Sequence, residues 1–369
     1  MKNKIVKILK NSAVLIPAML AFLMFFLLPE FTGFTETVIT GFVFKFFSYP
    51  LGFLVSAVPL SFTEISVVFA LPLFILIVIL LIRKIKKTEK KKQVIFKILK
   101  KFTLLLSCVL LFYMIMHGGN FYRRKLSDLM GFSGNEYSAE FLTEICIDLA
   151  KKASAEREHL TEAADGSAKL FSTKAKTLRL SNDGFMILSE KYPFLKGSVY
   201  RAKPVQLSHV WSYTNITGMY FPFFAEANVN IDQPEFDIPF TAAHELAHTR
   251  GFAREDECNF LAYLTCIIND SADIRYSGYL NALIYCHNAL SDYDGNLADE
   301  VGKYISDGMY RDFDAMGKYW EQFKGKVAEA SEKVNDAFIE SQGVEEGTLS
   351  YGLCVELIAG YYEKTGILD

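Results

Sequence analysis

The chain contains five consecutive residues, His244, Glu245, Leu246, Ala247 and His248, whose types and spacing suit metal chemistry. On a helix, residues four apart lie on one face, so both imidazoles can bind one ion. Glu245 lies beside that face, where its carboxylate can take a proton from water activated by the metal and later deliver it to a leaving amine. The spacing therefore predicts zinc ligands at both histidines and a general base at Glu245.

Catalytic zinc takes three protein ligands and keeps a fourth position open, so a third donor has to come from another segment. The chain continues with Glu255, Asp256 and Glu257 and then becomes apolar, which predicts the start of a second helix. We expect Thr241 to cap the start of the first helix and Gly251 to end it. A turn at Gly251 would fold the acidic segment back toward the histidines.

The pairing of His-Glu-x-x-His with a later Glu-x-x-Cys-Asn and an apolar helix resembles the glutamate-ligand zincins. These include the prenyl-protein and heat-shock membrane proteases and the repressor-cleaving immunity proteases. The resemblance implies that Glu255 is the third zinc ligand and that Asn259 supports a ligand. Only six residues separate His248 from Glu255, so Glu257 is the alternative third ligand. The metzincin pattern would instead require a ligand at Arg254, which cannot coordinate zinc.

Residues 218–264, with three hydrophobic segments ahead of them, are also similar to an uncharacterised family of bacterial membrane proteins with a His-Glu-Leu-Ala-His site. That resemblance implies a membrane protein and supplies no reaction.

Three apolar runs precede the motif, at residues 13–28, 65–82 and 102–116, and we interpret them as transmembrane helices. Residues 83–101 carry ten basic residues against Glu89 alone, which predicts a cytoplasmic loop. Residues 37–62 are aromatic and apolar but interrupted by charge, proline and glycine, so we expect an interfacial or re-entrant element. The C-terminal domain then lies outside the cytoplasm.

The predicted domains are a membrane anchor at residues 1–117 and a catalytic domain at residues 118–369. The second carries 24 basic and 38 acidic residues, which argues against a nucleic-acid partner. Its expected fold is mainly helical with a small β element, a zincin-like α+β domain, with helices at residues 139–164 and along an apolar stripe at 313–338. The alternating segment Glu226–Asn230 predicts a short strand. Because it lies just before the histidine helix, the resemblance to zincins implies that it is the sheet edge that binds an extended peptide, with a structural hairpin as the alternative.

Two further side chains, Tyr276 and His287, are candidates for stabilising an oxyanion, with a structural hydrogen bond as the alternative for each. The cysteines have no metal-site spacing and no disulfide framework.

Together these patterns predict a multi-pass membrane metallopeptidase that binds Zn²⁺ and cleaves a peptide or protein substrate outside the cytoplasmic membrane. The alternatives are a zinc-binding membrane receptor or sensor with little or no proteolytic activity and a structural zinc protein. A site with three protein ligands beside an accessible cleft would favour catalysis over a structural role.

Overall fold

The computed structural model describes residues 12–133, 137–341 and 351–366. They form two compact units. The first contains residues 12–47 and Phe62–Arg123, and the second contains Ser48–Ser61 together with the described residues after Arg123. The functional division into an anchor at 1–117 and a catalytic domain at 118–369 stays a prediction.

The N-terminal third of the chain is helical, as its apolar composition predicts. Its helices are α1 (Ile16–Leu27), α2 (Thr32–Phe34), α3 (Lys45–Ala57), α4 (Phe62–Lys86) and α5 (Lys91–Met116), with a π-helical stretch at Thr35–Phe44 between α2 and α3.

Three helical runs are long and apolar enough to cross a membrane, namely Ala13–Ala57, Phe62–Lys86 and Lys91–Met116. This confirms the three predicted candidate spans. The first run has 45 residues, well beyond the roughly 20 that one crossing needs. Its backbone leaves helical geometry at Phe31, with φ −125° and ψ 52°. The orientation of the spans and the role of residues 37–62 stay predictions.

The first unit buries polar groups in matched pairs. The Arg123 guanidinium donates to both carboxylate oxygens of Glu36, at 2.8 and 2.7 Å. Thr40 Oγ1 donates to Asn120 Oδ1 at 2.8 Å. These contacts tie the stretch Thr35–Phe44 to the residues that follow α5.

The second unit is also mainly helical. Its helices are α6 (Leu126–Met130), α7 (Ala139–Arg157), α8 (Lys174–Leu180), α9 (Asp183–Lys191), α10 (Ser208–Ser212), α11 (Ile238–His248), α12 (Glu255–Ile267), α13 (Ala272–Tyr293), α14 (Gly295–Gly302), α15 (Asp307–Glu321), α16 (Lys326–Ser341) and α17 (Tyr351–Thr365). The helix predicted at 139–164 ends at Arg157. The stripe predicted along 313–338 is divided between α15 and α16, and its residue Val334 is 71% exposed, so the core assignment was wrong there.

A three-stranded sheet completes the second unit and confirms the mainly α architecture with a small β element. Its strands are β1 (Lys203–Val205), β2 (Gly218–Phe221) and β3 (Glu226–Asn230). Strand β3 lies in the middle, parallel to β1 and antiparallel to β2.

The predicted strand Glu226–Asn230 is therefore present, but its predicted position at the edge was wrong. All five residues of β3 are buried. Its polar side chains have partners inside the protein. Glu226 pairs with Lys203 at 2.8 Å, and Asn230 donates to Ser212 Oγ at 3.0 Å. The edge strand next to α11 is β2.

The elements that carry the predicted site pack against one another around α11. This helix lies on β2 and β3 on one side and contacts α12 and α13 on the other. Its small apolar residues Ala242, Ala243, Leu246 and Ala247 are fully buried. Their burial fixes the direction in which the polar residues of α11 point.

Candidate metal centre

Helix α11 begins three residues earlier than the predicted cap at Thr241. It starts at Ile238 with Pro239 in its first turn, where the missing N–H of proline costs no hydrogen bond. Thr241 lies inside the helix, and its Oγ1 accepts from Gln233 Nε2 at 3.2 Å. The residue at the cap, Asp237, uses its carboxylate to accept from Asn281 at 2.8 Å.

The chain reverses directly after the second histidine. Helix α11 ends at His248, and the amide of Gly251 donates to the His248 carbonyl at 3.0 Å. Gly251 has a φ of +82°, a left-handed conformation that glycine adopts without strain. Helix α12 then begins at Glu255, as predicted. The reversal brings the first turn of α12 next to the last turn of α11.

Three donor side chains converge where the two helices meet. His244, His248 and Glu255 place one ligand atom each within 4.8 Å of one another, and this group can hold a metal ion. The two Nε2 atoms are 3.2 Å apart. The Glu255 oxygens lie 2.9 Å from His244 Nε2 and 3.7 Å from His248 Nε2. The cluster contains no fourth donor among the residues that the structure describes.

The other nitrogen of each imidazole is held by an oxygen. His244 Nδ1 lies 2.7 Å from Asn259 Oδ1, and His248 Nδ1 lies 2.8 Å from the carbonyl oxygen of Phe252. Because a carbonyl oxygen only accepts hydrogen bonds, both Nδ1 atoms carry the hydrogen. Both Nε2 atoms then face Glu255, where each can donate a hydrogen bond to the carboxylate or, once deprotonated, bind a metal ion.

The electrostatics of the cluster favour a positive charge among these donors. Burial raises the pKa of Glu255, but the charge of His248 and the hydrogen bonds from both histidines bring it well below its usual value. Burial lowers the pKa of His248, whereas Cys258 and Glu255 raise it well above its usual value. Burial also raises the pKa of the Cys258 thiol to about 12, so Glu255 carries the negative charge at neutral pH.

Glu257 points away from the histidines. Its Oε1 accepts from the amide of Leu126 at 2.6 Å and pairs with the Arg254 guanidinium. Two residues along a helix correspond to a rotation of about 200°, so Glu255 and Glu257 face opposite ways. The geometry thus brings Glu255 to the histidines. Asn259, four residues after Glu255, lies on the same face of α12 and reaches His244.

Glu245 occupies the buried side of α11 next to β2. It is 4% exposed, and burial raises the pKa of its carboxyl group to about 7. The backbone amide of Tyr220 donates to this carboxylate. Oε2 is buried and has no hydrogen-bond partner within the described part of the chain. The group is therefore poised to exchange a proton near neutral pH.

Three residues that contact the site were not predicted. The Tyr220 ring stacks on His248, with ring centroids 5.9 Å apart. Gly218 packs so closely that a Cβ there would lie 2.7 Å from Cγ of Glu245. The Tyr285 hydroxyl donates to Asn259 Oδ1 at 3.4 Å. No helical spacing connects Tyr285 with another site residue, so the sequence could not have predicted it. Gly218, the first residue of β2, could have been noticed, because glycine in a strand often marks a close contact.

The two predicted alternative residues lie in structural contacts. Tyr276 donates to Asp312 Oδ2 at 2.5 Å and is fully buried. His287 Nε2 lies 3.2 Å from the carbonyl oxygen of Ala298. The structure does not bring either side chain to the His244, His248 and Glu255 cluster.

Comparison with known proteins identifies the family. Residues 40–359 match the family model described as protein of unknown function (DUF3810), and the chain belongs to this family. No curated protein and no solved structure matches the chain. The likeness to zincins consequently depends on the motif and on the geometry of the cluster.

Proposed function

We propose that this member of a family of unknown function is a membrane-anchored zinc metallopeptidase. The observation that carries the proposal is the orientation of the two imidazoles. With both Nδ1 atoms hydrogen-bonded to oxygens, His244 and His248 direct their Nε2 atoms and Glu255 directs a carboxylate into one small space. Such a group is stable only when a cation or a proton lies between its members.

The spacing of the donors fits zinc. Ligands that surround zinc tetrahedrally at about 2.0–2.1 Å are roughly 3.3 Å apart. The three distances among His244, His248 and Glu255 are 3.2, 2.9 and 3.7 Å, which bracket that value. Two histidines and one carboxylate also leave one tetrahedral position open, as catalytic zinc sites do. Asn259 and the Phe252 carbonyl hold the ligand rings in place.

In the proposed reaction, zinc held by His244, His248 and Glu255 would supply a Lewis acid for the scissile carbonyl and for the attacking water. Glu245 removes a proton from that water and later gives it to the leaving amine. Burial raises the pKa of Glu245 and thereby favours the uptake of a proton by this carboxylate. The Tyr220 amide orients the carboxylate, and burial keeps bulk water from it.

We assign the binding of an extended substrate to β2 instead of the originally predicted Glu226–Asn230. Strand β2 is an edge strand of the sheet and touches Glu245 through Gly218 and Tyr220. An extended peptide can pair with such an edge through main-chain hydrogen bonds. The central strand β3 pairs with β1 and β2 on its two sides, so its main chain is not free to pair with a peptide.

The proposed location is the outer side of the cytoplasmic membrane. The three apolar helical runs supply the anchor, and the basic connection between α4 and α5 favours a cytoplasmic loop. An odd number of crossings with a cytoplasmic N-terminus then leaves α11 and α12 outside. Peptides or proteins and the lipid bilayer are the proposed partners.

The test compares the zinc-loaded full chain with Glu245→Gln for cleavage of a diverse peptide library. We expect cleavage by the wild type and a loss of about 10²- to 10⁴-fold in the variant, with zinc retained in both. Glu300→Gln, an exposed change, is the control and should cleave normally. Equal cleavage by Glu245→Gln would contradict the role of the base. Bound zinc without cleavage of any peptide would favour the alternative function, a zinc-binding membrane receptor or sensor.

A further inference from the structure

The segment Ser48–Ser61 connects the first two apolar helical runs but belongs to the unit that contains the metal centre. It includes the end of the run Ala13–Ala57 and stops directly before α4. Its packing nevertheless joins it to the residues after Arg123. The sheet beside Glu245 is therefore built partly on a segment from the N-terminal apolar region.

The first half of the segment is held by residues that precede β1. The Tyr49 hydroxyl donates to the Lys196 carbonyl at 2.7 Å, and Ser198 Oγ donates to the Ser48 carbonyl at 3.3 Å. Gly52 is so close to Val199 that a Cβ there would lie 2.6 Å from a Val199 methyl group. These contacts fix the end of α3 on the second unit.

The second half of the segment enters a buried polar cluster on the sheet. Ser61 Oγ donates to Asn228 Oδ1 at 2.6 Å, and Lys203 Nζ donates to the Leu60 carbonyl at 2.8 Å. Lys203 also pairs with Glu226 at 2.8 Å, and both side chains are 1% exposed. Because an uncompensated buried charge is costly, this cluster holds the segment and the sheet together as one structure.

The same cluster reaches the strand that holds the proposed base. Asn228 Nδ2 donates to the Met219 carbonyl of β2 at 3.1 Å. The next residue of β2, Tyr220, donates its amide to Glu245. Ser61 contacts β3, and β3 pairs directly with β2, the strand that orients Glu245. Adjacent strands are about 4.8 Å apart, so Ser61 is close to that strand.

The outer face of the segment is apolar. Phe53, Leu54 and Leu60 are 62%, 67% and 53% exposed. A cluster of large apolar side chains is unfavourable in water but stable in hydrocarbon. Since the segment is continuous with apolar runs that are long enough to cross a membrane, the lipid bilayer is the partner that fits this face.

We propose that Ser48–Ser61 lies in the lipid bilayer as a part of the unit that contains the metal centre, and that it holds β2 and Glu245 close to the membrane surface. Given the proposed peptidase function, the substrates are peptide bonds a short distance from the membrane in membrane-anchored chains. An extended segment emerging from the bilayer can then pair with β2.

The lipid contact is tested with fluorescent labels on the full chain in nanodiscs. Cys108 is replaced by serine, because it is exposed while the other five cysteines are buried. Single cysteines then replace Leu54 or Val210, which is 60% exposed in the second unit and serves as the matched control. We expect nitroxide lipids to quench the label at 54 and dissolved iodide to quench the label at 210. Iodide quenching at both positions would overturn the lipid contact.

The substrate class is tested with one cleavable sequence placed at increasing distances from a transmembrane anchor in the same nanodiscs. We expect the fastest cleavage at short spacers and a decline as the spacer lengthens. Equal rates at all spacer lengths would overturn the proposed substrate class. No cleavage of any peptide by zinc-loaded protein would contradict the peptidase itself, whereas the label experiment would still decide the lipid contact.

Discussion

Two of the buried carboxylates in the second unit have different surroundings. They are Asp312 on α15 and Glu245 on α11. Asp312 is fully buried, and donors reach both of its oxygens: the Arg157 guanidinium, the Tyr276 hydroxyl at 2.5 Å and the Ala168 amide at 2.7 Å. Glu245 is almost as buried, yet only the Tyr220 amide donates to it and Oε2 has no partner in the described residues. The Nε2 atoms of its neighbours His244 and His248 lie 3.2 Å apart and face the Glu255 carboxylate.

This difference separates a structural cluster from a functional one. Proteins satisfy buried polar groups when the groups only stabilise the fold. An incompletely satisfied group that is nevertheless rigidly placed indicates a ligand that completes it. The Asp312 cluster is complete, so we expect its loss to change stability alone. The polar groups around His244 and Glu245 are not fully hydrogen-bonded among the described residues, so we expect changes there to alter metal binding and catalysis before stability.

The largest expected effect is the loss of the Asp312 carboxylate. Asp312→Ala leaves the buried Arg157 guanidinium without its main partner, at 2.6 Å in the wild type. We expect the free energy of unfolding to fall by about 3–5 kcal/mol, measured by urea unfolding of the full chain in detergent micelles. Glu162→Ala removes an exposed partner of the same arginine and should lower the free energy of unfolding far less than Asp312→Ala does. If Asp312→Ala protein folds but no longer binds metal, the Asp312 cluster is not purely structural, and the distinction between the two clusters is wrong.

The second effect concerns the position of Glu245. A methyl group in Gly218→Ala would collide with the Glu245 side chain, so the carboxylate has to move. Because a displacement of 1 Å can reduce a rate about 10²-fold, we expect a loss of that order in peptide cleavage with normal metal content. Gly295→Ala, where a methyl group meets nothing within 4 Å, is the matched control. Unchanged cleavage by Gly218→Ala would argue against a catalytic Glu245.

The third effect concerns the support of a ligand. Asn259→Ala removes the oxygen that fixes the His244 ring at 2.7 Å. We expect the affinity for zinc to fall about 10- to 100-fold, measured by competition with a fluorescent chelator. An unchanged affinity would show that the ring orientation does not depend on Asn259.

The smallest effect is expected for Tyr285→Phe. The hydroxyl is 3.4 Å from Asn259 Oδ1, a long contact, and Asn259 keeps its bond to His244 without it. We expect the zinc affinity to fall by less than about 10-fold in the same competition assay. A loss as large as that of Asn259→Ala would mean that the tyrosine, and not the amide alone, positions the ligand.

Local sequence patterns predicted the parts of the site that depend on helix geometry. The spacing of His244 and His248 follows from the period of a helix. The acidic start of α12 follows from the preference of a helix N-terminus for negative charge, and the structure contains both helices. The resemblance to zincins added Glu255 and Asn259, and both lie at the histidines.

Patterns failed where distant segments decide the outcome. The resemblance to zincins implied that β3 is the sheet edge, but β1 and β2 pair with it on both sides, and Lys203 and Ser212 contact its polar residues. Thr241 had the chemistry of a cap, but Pro239 allowed the helix to start earlier. Tyr220 and Tyr285 reach the site through the sheet and through α13, and no spacing along the chain records such contacts.

The metal content of the purified full chain decides whether His244, His248 and Glu255 bind zinc. We would measure all first-row transition metals by elemental analysis in wild type, Glu255→Gln and Glu257→Gln. We expect one zinc per chain in wild type and Glu257→Gln, whose side chain pairs with Arg254, and a clear loss in Glu255→Gln. A wild type that takes up no zinc, or a Glu255→Gln variant that keeps it while Glu257→Gln loses it, would refute the proposed zinc site.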